Sequence, residues 1–152
     1  MPNVGEPAPD FELPDATGAL VRLSGLRGKK VVLYFYPKDM TPGCTQQACD
    51  FRDLNAEIAA AGAVVLGVSP DNSKSHVKFA GKYALPFTLL ADEGSGVATT
   101  YGVWKEKSMY GRTFMGVVRT TFLIDEAGRI ARVWPKVNVA GHGDEVLAAI
   151  RE

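Results

Sequence analysis

The sequence is short of the side chains that hold metals: it has two cysteines and two histidines in 152 residues. These four match no usual zinc spacing, so no metal is expected, and no other cofactor. An excess of either charge is also missing, with 17 Lys plus Arg against 17 Asp plus Glu. No global field therefore recruits nucleic acid or a membrane surface. Long apolar runs are lacking too; the longest, such as residues 31–36, are far too short to span a bilayer. Residues 1–6 have neither the basic segment nor the apolar run of a signal peptide, which makes the cytoplasm the expected location. In that reducing compartment a pair of cysteines is more often catalytic or metal-binding than a structural staple.

What is present fits one globular unit. Apolar residues make up 46% and charged ones 22% of the chain, ordinary values for a protein that can bury a core. No linker, repeat or low-complexity tract divides it, so residues 1–152 are expected to form a single domain.

Punctuation and period alternate along the chain. Residues 11–23 place Pro14-Asp15-Ala16-Thr17-Gly18 between two short apolar pieces and predict a hairpin. Val31-Val32-Leu33-Tyr34-Phe35-Tyr36 is continuous, β-branched and aromatic, as expected of a strand covered on both faces. Pro37 ends it. From 42 to 61, Ala48, Phe51, Leu54 and Ile58 recur at steps of three and four, the mark of an amphipathic helix. Residues 63–68 predict a second buried strand, Asp71-Asn72-Ser73 offers caps for a helix to about Tyr83, and 87–90 predicts a third strand. A short helix is expected over 94–101. Residues 120–124 and 129–134 flank Asp125-Glu126-Ala127-Gly128, a hairpin turn, and a last helix covers about 144–151. This order describes an α/β protein with a thioredoxin-like fold and an N-terminal β-hairpin extension. A doubly wound, flavodoxin-like sheet is the alternative, and the late antiparallel hairpin counts against it.

The chemistry is concentrated in residues 34–49. Thr41 reads as an N-cap, Pro42 as the first helical residue, where its missing N–H is harmless, and Cys44 as the third. The sulfur then lies near unpaired N–H groups at the positive end of the helix. Such helix-end effects are worth about 0.3–2 kcal/mol, too little alone to leave a thiol mostly ionised at neutral pH. A cation is needed, and Arg119, just before the apolar run 120–124, is the candidate. If Cys44 and Cys49 share one regular helix, their Cα atoms stand about 8.7 Å apart, beyond the roughly 7 Å that a disulfide spans. A bond between them then requires the first turn to unwind, giving a reduced helix and an oxidised loop.

These residues resemble the peroxiredoxins, most closely the bacterioferritin comigratory protein (PrxQ) branch, over almost the entire chain. The family's Pro-x-x-x-Thr-x-x-Cys signature stands here as Pro37, Thr41 and Cys44, with the branch's second cysteine at Cys49. Tyr101-Gly102-Val103-Trp104, Arg119-Thr120-Thr121-Phe122-Leu123-Ile124-Asp125 and Trp134-Pro135-Lys136-Val137 are similar as well. The resemblance implies an antioxidant thiol peroxidase acting on hydrogen peroxide and organic hydroperoxides. In it Cys44 is the peroxidatic nucleophile, and Cys49 resolves its sulfenic acid as an intramolecular disulfide. Thr41, Arg119 and the N–H groups of Gly43 and Cys44 are expected to bind thiolate and peroxide, with Pro37 shaping and shielding the loop. Thioredoxin or a glutaredoxin-like dithiol is the expected reductant, and a monomer the expected state.

Rival readings rest on weaker features. A thioredoxin-type reductase wants two residues between its cysteines, where this chain has four. A thiol hydrolase needs a histidine beside Cys44; His76 reads as lying on an exposed helix and His142 in a glycine-flanked loop. A binding module with a static Cys44–Cys49 bond is a further alternative. Trp104, Met109, Tyr110, Phe114 and Met115 read as a glycine-punctuated loop, either packed in the core or forming an apolar collar above Cys44. Lys105-Glu106-Lys107 reads as a solvated turn.

Overall fold

A computed structural model describes residues 1–152. Strands β1 (Glu12–Pro14) and β2 (Leu20–Arg22) form the expected N-terminal hairpin. Then follow β3 (Lys30–Phe35), α1 (Pro42–Ala60), β4 (Ala63–Ser69), α2 (Ser73–Tyr83), β5 (Thr88–Ala91) and α3 (Gly96–Thr100). The chain ends with β6 (Trp104–Met109), β7 (Arg112–Val117), β8 (Thr120–Ile124), β9 (Ile130–Trp134) and α4 (His142–Ile150). The central sheet has the order β5-β4-β3-β8-β9. Its first three strands run parallel, while β8 and β9 are antiparallel to their neighbours. This is the thioredoxin-like arrangement with its hairpin extension, as expected, rather than a doubly wound sheet.

β3 lies at the centre because its side chains can face apolar cover on either side. Val31, Leu33 and Phe35 enter one core layer with Phe11, Leu13, Leu23 and Tyr101. Val32, Tyr34 and Tyr36 enter the other with Phe51 and Ile58 of α1, Phe79 of α2, and Val146, Leu147 and Ile150 of α4. The inner face of α1 is spelled by Cys44, Gln47, Ala48, Phe51 and Ile58, related by spacings of three, four and seven that turn one stripe inward. Cys44 belongs to that stripe, so its sulfur points into the protein. Gly62 (φ 84°) ends the helix in the left-handed conformation that glycine adopts most easily.

Residues 104–117 depart from expectation. They form the two-stranded hairpin β6–β7, apart from the main sheet, instead of a core-packed loop. Its turn is Tyr110-Gly111, both with positive φ, the two-residue geometry that suits strand twist. Met109, Phe114 and Met115 are about half exposed, and Tyr110 is 97% exposed. Two further boundaries move. α4 begins at His142 rather than Asp144, and a 3-10 turn over Glu93–Ser95 precedes α3. No helix is long and apolar enough to cross a membrane.

Candidate active site

The end of β3 and the start of α1 build the site. Tyr36 continues the strand for one residue, its N–H donating to Val68 O at 3.0 Å. Half-buried Pro37 has no N–H and stops the pairing. Met40 then takes a left-handed conformation (φ 67°) and Thr41 an extended one, which aims the chain into α1. Pro42 is the first helical residue and Cys44 the third, as expected. The first ladder bond runs from Thr45 N–H to Thr41 O at 2.9 Å. The N–H groups of Gly43 and Cys44 accordingly have no partner in the chain, and both point out of the helix's positive end.

Cys44 is 1% exposed, and a guanidinium reaches it. Arg119 Nη2 donates to Cys44 Sγ at 3.2 Å, and Nη1 donates to Gln47 Oε1 at 2.6 Å. The backbone carries this side chain from the β7–β8 connection, where Arg119 O accepts from Val137 N–H at 2.9 Å. The guanidinium thus sets a positive charge and a directed N–H donor against the sulfur. Gly43 makes room for it: a Cβ there would lie 3.2 Å from Arg119 Nη2.

Other expected residues fall differently. Thr41 holds the N-cap position in its backbone, but its side chain caps nothing; its hydroxyl proton goes to Lys38 O at 2.8 Å. That proton is thus not given to Cys44, which corrects the expectation of a donor there. Cys49 is half-buried on the regular stretch of α1, and both thiols are free. Lys107 is no solvated turn residue. It lies half-buried on β6, where burial and then the Arg119 charge hold its ammonium below the ordinary value, against the pull of Cys44.

The histidines also correct the reading. His76 is wholly buried, with Nδ1 2.7 Å from Asp39 Oδ2 and Nε2 2.9 Å from Leu90 O. His142 is the first residue of α4, also buried, with Nε2 2.9 Å from Thr121 Oγ1 and Nδ1 3.3 Å from Glu145 Oε1. Burial lowers the His142 imidazole from its ordinary 6.5, with Glu145 opposing. Neither ring serves Cys44, which removes the hydrolase reading.

The family model described as AhpC/TSA matches residues 4–133. The chain belongs to this family. Peroxiredoxin Bcp of Bacillus subtilis (strain 168) is 49% identical over 150 residues, 99% of this chain and 96% of that protein. Peroxiredoxin Bcp of Escherichia coli (strain K12) is 47% identical over 150 residues, with the same coverage. A solved structure of the Xanthomonas campestris bacterioferritin comigratory protein superposes with a TM-score of 0.91 at 40% identity, covering 98% of both chains.

As an AhpC/TSA protein, the chain joins a sulfur, a guanidinium and two free N–H groups around one point. Such a point stabilises negative charge on sulfur and on an oxygen bound against it. Gln47 is the member that sequence reasoning missed. It lies one turn beyond Cys44, at i+3 on the same face, and that spacing was its available signal.

Proposed function

We propose that the protein is a peroxiredoxin: a thiol-dependent peroxidase whose Cys44 reduces hydrogen peroxide and organic hydroperoxides. The observation that carries the reading is the Arg119 Nη2–Cys44 Sγ contact of 3.2 Å at a helix start with two unpaired N–H groups. The thiolate attacks the outer peroxide oxygen, the O–O bond breaks, and the other oxygen leaves as an alkoxide or hydroxide that takes up a proton. Cys44 becomes a sulfenic acid. Arg119 and the N–H groups of Gly43 and Cys44 are the donors for the leaving charge, each such donor being typically worth about 3–4 kcal/mol. Thr41, whose proton is committed to Lys38 O, offers the peroxide an acceptor oxygen. Pro37 closes the loop beside the sulfur.

Cys49 then attacks the sulfenic sulfur, releasing water and forming an intramolecular disulfide before irreversible over-oxidation can occur. The regular helix holds the two residues too far apart, so residues 42–50 unwind in this step. A dithiol donor, thioredoxin or a glutaredoxin-like protein, restores both thiols. The 152 residues act as one domain, as a monomer, in the cytoplasm, in antioxidant defence and redox homeostasis. Organic substrates are supported by the X. campestris relative, whose structure is described with an alkyl peroxide reduction activity.

Intact mass after one equivalent of hydrogen peroxide tests the scheme. Wild type is expected to lose two hydrogens, Cys49→Ser to gain one oxygen, and Cys44→Ser to stay unchanged. Normal turnover of Cys49→Ser with a dithiol would replace this scheme by a one-cysteine mechanism.

A further inference from the structure

Under the loop that feeds α1 lies a polar knot that makes no hydrogen bond to either cysteine. Asp39 is 4% exposed, yet both carboxylate oxygens are occupied. Oδ1 accepts from Tyr36 Oη–H at 2.6 Å, and Oδ2 from Ser75 Oγ–H at 2.8 Å, with His76 Nδ1 2.7 Å away. Leu90 O can only accept, so the His76 Nε2 beside it carries a hydrogen. Burial first, then the nearby Tyr34 and Asp39, raise the Tyr36 phenol well above its ordinary value, which keeps it a donor. The Asp39 N–H donates to Asp71 Oδ2 at 2.8 Å, and that oxygen also accepts from Ser69 Oγ–H at 2.7 Å. One loop residue is thereby tied to the end of β4, to the turn after it, to α2 and, through His76, to β5.

Such a knot is a poor way to gain stability. Removing a carboxylate and an imidazole from water opposes their attraction, and apolar side chains of similar size often hold a core better. What a fully satisfied network does supply is one fixed conformation. The conformation it fixes is unusual, because Met40, the next residue, is a non-glycine in left-handed space (φ 67°). That bend sets the direction of α1, and hence where the Gly43 and Cys44 N–H groups and the sulfur lie against Arg119. Disulfide formation unwinds the helix from this same end.

We propose that Asp39 and His76 are positioning residues that latch residues 36–41 to α2 in both redox states, so that unwinding stops at Thr41. The proposal rests on the reading of Cys44 and Cys49 as a redox pair. With the latch, the loop that aims α1 survives oxidation intact and only the first turns of the helix re-form; without it, the loop must be rebuilt in each cycle.

Hydrogen exchange on the reduced and the disulfide forms of the wild-type protein tests this directly. The Tyr36 and Asp39 amides are expected to keep their protection in both forms, while amides 45–49 lose it on oxidation. Loss at 36–39 together with 45–49 overturns the latch. Stopped-flow and quenched-flow kinetics of Asp39→Asn and His76→Gln supply a second readout. The second-order constant with peroxide is expected to fall at least tenfold, while the first-order constant for disulfide formation holds or rises. A merely structural role changes both constants by a similar factor, or neither, and that result refutes positioning; if the variants do not fold, the wild-type exchange decides alone. A wild type that leaves Cys44 unoxidised would refute the underlying redox pair instead.

Discussion

Gly43→Ala separates the two chemical steps, because the missing side chain acts on each for a different reason. Gly43 is solvent-exposed and second in α1, without positive φ, so alanine suits its backbone. Glycine in a helix is less favourable than alanine by about 0.5–1 kcal/mol. The substitution therefore stabilises the folded first turn by about that much relative to the unwound one. If unwinding precedes attack by Cys49, the rate of disulfide formation falls about 2- to 5-fold, since about 1.4 kcal/mol is a factor of ten. The new Cβ also lies 3.2 Å from Arg119 Nη2, tighter than ordinary contact, and the guanidinium must move by a few tenths of an ångström. It is pinned between Gln47 and Cys44, so the movement weakens one of those bonds and slows the peroxide step as well. Rapid mixing with one equivalent of peroxide, followed by acid quench, alkylation of free thiols and mass analysis, resolves sulfenic acid from disulfide over time. Sulfenic acid should persist longer in the variant than in wild type. Disulfide formation at the wild-type rate or faster would refute the idea that helix unwinding limits this step.

Arg119→Lys replaces the rigid fork of two directed nitrogens by one flexible ammonium, which loses the paired geometry toward Gln47 and Cys44. The second-order constant with peroxide should drop about 100-fold, measured by competition with a reference peroxidase. Gln47→Leu leaves Arg119 in place but unanchored, and should cost about tenfold in the same assay, in line with one hydrogen bond to a charged group. Because burial lowers the folded-state value of His142 below 6.5, the unfolded chain binds the proton more readily. Its contribution is complete above about pH 6.5 and is lost as pH falls toward the lowered folded value. Thermal melts from pH 7.5 to 5.5 should show a declining Tm, with a shallower slope in His142→Gln. Gly67→Ala puts a Cβ 2.9 Å from Leu89 Cδ2 and from Tyr34 Cζ and Oη, all in the buried core. Overpacking of this kind should destabilise by about 1–3 kcal/mol, or roughly 2–12 °C in Tm.

The parts that local pattern revealed are those where burial and chain geometry agree. The run 31–36 could only be a covered strand, and the stripe of Ala48, Phe51 and Ile58 only a helix on a core. Pro42 two residues ahead of Cys44 placed the sulfur in the first turn without knowledge of any partner. The contact with Arg119 spans 75 positions in sequence, and only the β7–β8 connection brings it about. The hairpin β6–β7 escaped notice because Tyr110-Gly111 replaces the Asn-Gly or Asp-Gly that marks such turns, and its strands bury little on either face. His76 was misplaced because a polar ring was assumed to face water. Its spacing to Phe79 and Tyr83 at i+3 and i+7 sets it on the inward face of α2, where Asp39 supplies the partner that makes burial tolerable.

The site must meet two opposed demands. Fast attack on peroxide needs the first turn of α1 folded, since only then do the sulfur, the guanidinium and the free N–H groups converge. Resolution needs that turn unfolded, since the helix keeps Cys44 and Cys49 beyond disulfide reach. Opening it through Cys49 gives up the ladder bonds from Thr45 onward, each worth about 0.5–1.5 kcal/mol net, and withdraws Cys44 and Ala48 from the core layer they share with Phe51. Only a turn that is weak by itself but firmly aimed can satisfy both demands at useful rates. Its composition fits that description: Pro42 and Gly43 contribute little to holding the helix closed, whereas Arg119 holds it through Gln47 and through Cys44, the second contact being stronger to a charged sulfur. Once the sulfur is a neutral sulfenic acid, the guanidinium holds it less strongly, so oxidation itself loosens the turn that must open next.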